Sequence, residues 1–62
     1  MIRTYTVEWG HYTFNSKGDK VSEIQDGDRE LTAESEDEAI KKANIPEDAE
    51  WHHAYVGTSK WL

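Results

Sequence analysis

A chain of 62 residues is enough for one domain and no more, since so short a chain barely buries the apolar surface that folding requires. Thirteen acids against seven bases give a net charge of −6, which argues against direct binding to nucleic acid or to an anionic membrane. The absence of cysteine excludes a disulfide framework, and no stretch reaches the roughly 18 apolar residues of a membrane span, so the cytoplasm is the expected compartment.

From Arg3 to Trp9 the chain alternates, with Tyr5, Val7 and Trp9 on one side and Thr4, Thr6 and Glu8 on the other. Such period-two order in β-branched and aromatic residues predicts a half-buried strand. Tyr12 and Phe14 fall on the opposite parity, and a bulge or bend at Gly10 would bring both sets to one face. Asn15 to Asp19 has the composition of a turn. Residues 20–34 follow either as one bent strand or as a short hairpin, with Asp26-Gly27-Asp28 as the bulge or turn.

Ser35-Glu36-Asp37-Glu38 is a capping box, and it opens a helix carrying acids in its first turn and Lys41-Lys42 in its last. Ala39, Ile40 and Ala43 form a narrow stripe for packing on a sheet, Asn44 suits the C-terminal cap, and Ile45-Pro46 stops the helix. A loop over residues 47–50 leads to a last strand, Trp51 to Val56, closing at Gly57. The fold class is therefore α+β: a small antiparallel sheet of three to four strands with one short helix across one face, in the order β-β-(β)-α-β. Tyr5, Val7, Trp9, Tyr12, Phe14 and Trp51 are the expected core aromatics and aliphatics, while Trp61 in the tail Thr58 to Leu62 is the expected exposed one.

Catalytic chemistry finds little to use. There is no thiol nucleophile, no glycine-rich phosphate loop and no zinc spacing. His52 and His53 are neighbours on a strand and point to opposite faces, one expected partly buried and the other in solvent, so no metal and no cofactor are assigned. The carboxylates fall in turns, at a helix start and on the outward side of a strand, all solvated positions, and the expectation is a protein that is not an enzyme.

The acids are unevenly spread. Twelve of the thirteen lie between Asp19 and Glu50 with only four of the seven bases, so that segment carries −8 and the ends +2. Asp26, Asp28, Glu30 and Glu34 share even parity, opposite to Leu31 and Ala33, and successive members of an extended row stand about 6.6–6.8 Å apart. That spacing is comparable to the charges along one nucleic-acid strand, and Glu36 and Asp37 would prolong the row. Fixed anions repel one another, and a basic protein surface would relieve them. Acid excess also serves solubility alone, and the helix-start acids already have a capping role, so both uses of the row stay open at this point.

The run Leu31-Thr32-Ala33-Glu34-Ser35-Glu36-Asp37-Glu38-Ala39-Ile40, followed by Pro46 to Val56, resembles small phage-encoded host-takeover proteins, and in layout the T7-type inhibitor of bacterial RNA polymerase. The resemblance covers about the second half of the chain. Where that inhibitor carries arginines on its closing strand, His52 and His53 stand here, and the acidic row is closer in character to the phage DNA mimics that cover the nucleoid protein HU. It implies an acidic inhibitor, acting in the host cytoplasm, that takes the nucleic-acid-binding surface of a basic host protein. Asp26, Asp28, Glu30, Glu34, Glu36 and Asp37 would stand in for phosphates. The competing reading is a structural or adaptor domain that assembles, as a homodimer or with a partner, through a sheet edge or the Trp61-Leu62 tail.

Overall fold

The computed structural model describes residues 1–57, and the Trp61-Leu62 tail lies outside them. Three strands and one helix follow in the order β1 (Arg3–Phe14), β2 (Lys20–Ala33), α1 (Glu36–Ala43) and β3 (Trp51–Val56). β1 is central, with β2 and β3 antiparallel on either side of it, and α1 carries the chain across from one edge to the other. The α+β expectation is met, with three strands: residues 20–33 are one continuous strand and not a hairpin. No helix among the described residues is long and apolar enough to cross a membrane.

The turn between β1 and β2 is organised by Asn15, whose side-chain oxygen accepts from the backbone N–H groups of Lys17 and Asp19 at 2.9 and 3.0 Å. At the helix start the Ser35 hydroxyl accepts from Glu38 N–H at 3.2 Å, as the capping box predicts. The Glu38 carboxylate is held by Lys42 one turn on, at 3.0 Å. That hydrogen bond lowers the Glu38 pKa; loss of hydration opposes it, and the Lys42 charge and the Glu34 backbone add to the lowering. Asn44 takes the left-handed conformation at the other end, φ 55°, and its N–H closes on the Lys41 carbonyl.

Odd-numbered residues of β1 meet the helix. Tyr5 and Val7 are buried there with Ala33, Ala39 and Ala43, and Trp9, Leu31, Ile45 and Ala54 close the margins. Alanine at both buried helix positions lets the helix axis approach the sheet closely, so the sheet keeps only a thin core. Burying Val7 completely contributes roughly 2 kcal/mol.

Gly10 does not restore parity. β1 runs through it without an inserted residue, and the register shift is on β2, where Trp9 faces Gly27 and Gly10 faces Gln25, leaving Asp26 as the extra residue. Tyr12 therefore lies on the face away from the helix, together with Glu8, and Phe14 is 55% exposed rather than core. Gly10 is glycine because of close approach: a Cβ there would fall 1.8 Å from the Ile24 carbonyl oxygen and 2.7 Å from the Trp51 ring. Gly27 has the same relation to Trp9 on the helix side, its Cβ position lying 2.7 Å from that ring.

Candidate partner-binding face

The face of the sheet away from α1 takes the even-numbered residues of β1 and those that pair with them. Glu8 stands directly opposite Asp28 on β2 and opposite His53 on β3, while Thr6 stands opposite Glu30 and Tyr55. Glu8 and Asp28 are thus like charges in direct cross-strand register, a pairing that disfavours the fold by a few tenths of a kcal/mol to about 1 kcal/mol. Tyr55 Oη is 3.5 Å from Glu8 Oε2, a neutral hydroxyl at the long limit of a hydrogen bond that brings no opposing charge. Further along, Tyr12 faces Glu23. Among the described residues the one base on this side of the sheet is Lys20, opposite Phe14 at the far end, with Nζ 3.6 Å from Glu23 and 4.6 Å from the Tyr12 ring centre.

The other bases sit elsewhere. Arg29 faces Val7 on the helix side and lies 6.0 Å over the Trp9 ring, Arg3 faces Ala33, and Lys42 donates to the Thr32 carbonyl at 3.1 Å. Both arginines therefore lie on the helix side of the sheet, while Glu8, Glu23, Asp28 and Glu30 take the open side.

The six carboxylates of the sequence row divide into three groups. Asp28 and Glu30 share the open face, two residues apart on β2. Asp26 leaves the row: as the bulge residue it turns to His11, with Nδ1 2.8 Å from Oδ2. Glu34 is in the bend after β2, and Glu36 and Asp37 open the helix, all exposed and beyond the last residue of the sheet ladder. The register adds Glu8 from β1, and Glu23 from β2, whose odd parity the shift at Asp26 brings opposite Tyr12. Glu8 was visible as an outward residue of β1, but its place beside Asp28 is set by long-range pairing.

His52 and His53 are both exposed, which corrects the expectation that one would be partly buried. Because β3 is an edge strand opposite Trp9 and Glu8, with α1 packed mainly over β1 and β2, neither imidazole is covered. Among the described residues no group of three or more metal-ligating side chains converges.

Gly10, lacking a side chain, leaves a gap in this face that the Trp51 ring crosses, its indole N–H donating to the His11 carbonyl at 3.1 Å. Beside it is an open dip of about 380 Å³ lined by Glu8, Tyr12, Glu23, Trp51, His52 and His53. Glu50 is fixed nearby, accepting from Tyr12 N–H at 3.0 Å while its own N–H reaches the Gly10 carbonyl at 2.8 Å.

Comparison with protein-family models, with curated proteins and with solved structures finds no match to this chain.

Proposed function

We propose that this chain is a non-enzymatic acidic binding protein whose open sheet face occupies the nucleic-acid-binding surface of a basic protein, as a DNA mimic does. The observation that carries the reading is the direct opposition of Glu8 and Asp28, with Glu30 next along β2, on a face whose one described base is at its far end. Such a pair costs stability in the free protein and is relieved when a cationic surface meets it. Glu34, Glu36 and Asp37 extend the negative potential past the end of the sheet. A phage-encoded inhibitor in the host cytoplasm, directed at an HU-like nucleoid protein or at RNA polymerase, fits this chemistry. The test is capture from bacterial lysate by the native chain and by the triple variant Asp28→Asn/Glu30→Gln/Glu34→Gln. Basic DNA-binding proteins should be retained by the native chain, released by salt or excess duplex DNA, and missed by the folded variant. Equal retention by both would remove the open face from the account.

A second reading has its own observation. β3 (Trp51–Val56) is an edge strand without one Asp, Glu, Lys or Arg, whereas the opposite edge, β2, is heavily charged. An uncharged edge invites strand pairing, and an adaptor or homodimer would use it. Association of that kind would be nearly indifferent to salt.

A further inference from the structure

The dip beside Gly10 differs from the rest of the acidic face in having rings as well as charges. Tyr12 and Trp51 are half-buried and held in place, Trp51 by its indole hydrogen bond to the His11 carbonyl and Tyr12 by its backbone hydrogen bond to Glu50. Glu8 and Glu23 also line it, Glu8 four residues from Tyr12 along β1 and Glu23 directly opposite Tyr12 on β2. An aromatic face attracts a cation through its quadrupole, and a nearby carboxylate adds direct attraction. The molecule already displays this chemistry at the rim: the Lys20 ammonium lies 4.6 Å over the Tyr12 ring and 3.6 Å from Glu23. That cation comes from a side chain about half exposed, on the last rung of the ladder, and it leaves Trp51 and Glu8 unused.

We propose that this dip is a receptor for a single guanidinium group, an arginine of the basic partner, with Trp51 and Tyr12 as its rings and Glu8 and Glu23 as its counter-charges. The inference rests on the acidic-face reading and deepens it by naming an anchoring residue on the partner. A guanidinium suits the dip better than an ammonium because it is planar, more weakly hydrated, and can stack on a ring while donating sideways to a carboxylate. Lys20 is then an internal competitor for the Tyr12 ring.

The experiment is an NMR titration of the isotope-labelled 62-residue chain with N-acetyl-arginine amide, following the Trp51 indole N–H and the Tyr12 amide. A saturable shift of both is expected, stronger than with N-acetyl-lysine amide. Tyr12→Leu, which keeps every charge, should weaken binding roughly threefold to fivefold. Lys20→Gln should tighten it about twofold more than Lys17→Gln, which removes the same charge in the adjacent turn without touching the ring. This exposed pair keeps the test intact if Tyr12→Leu fails to fold. No saturable shift, shifts confined to Asp28 and Glu30, equal effects of the two lysine variants, or equal affinity for the lysine amide would each overturn the assignment. The wider reading would survive any of these, because it is scored by the Asp28, Glu30 and Glu34 variants, and none of those residues lines the dip.

Discussion

Val7 and Glu8 are neighbours on β1, yet they belong to two different economies. On the helix side, Tyr5, Val7, Ala33, Ala39 and Ala43 exclude water and supply most of what holds the chain together. On the open side, Glu8 meets Asp28 across the ladder and works against the fold. A chain this small has only a few kcal/mol of stability to spare. That it keeps a like-charge pair in register, one residue from its best-buried side chain, is what points to use of the open face.

Substitutions can sharpen that contrast or break it. The largest effect is expected at Gly10→Ala, where the added methyl would press on the Ile24 backbone carbonyl and the Trp51 ring from the open side. A loss of about 3 kcal/mol, enough to leave much of the chain unfolded in a urea titration, is expected because the carbonyl cannot move without parting β1 from β2. Val7→Ala should cost roughly 2 kcal/mol on the helix side. The adjacent Glu8→Gln should act in the opposite sense, raising stability by a few tenths of a kcal/mol. A destabilising Glu8→Gln would mean that the open face is structural and would dissolve the contrast.

The smallest effect is at the helix. Because the folded-state pKa of Glu38 is depressed by Lys42, its contribution is fully present above the ordinary glutamate value and is lost as pH falls through the depressed one. Lys42→Met should therefore lower stability slightly in the neutral range, where the pair is intact, and leave the acid range, where Glu38 is protonated, almost unchanged, so that the stability profile flattens between the two.

Much of the fold was legible because its signals are local. The Ser35 cap, the acid-to-base order along the helix, Asn44 at its end and the alternation from Arg3 to Trp9 are all decided within a few residues. What misled was Gly10. A glycine at a parity change reads as a bulge, but here glycine is demanded by a carbonyl and a tryptophan ring arriving from two other strands, and the bulge belongs to Asp26. The site divided the same way. Asp28 and Glu30 were readable from parity along β2, whereas the escape of Asp26 to His11, the opposition of Glu8 and Asp28, and the meeting of Tyr12, Glu23 and Trp51 depend on register between strands.

The most direct test of the account measures stability and affinity together in the double variant Glu8→Gln/Asp28→Asn. Thermal unfolding gives the first, and titration against a purified HU-type nucleoid protein at several salt concentrations gives the second. The variant is expected to melt higher than the native chain, to bind about tenfold more weakly, or weaker still, at low salt, and to respond less to added salt. A variant that melts higher and binds as tightly as the native chain would contradict use of the open face.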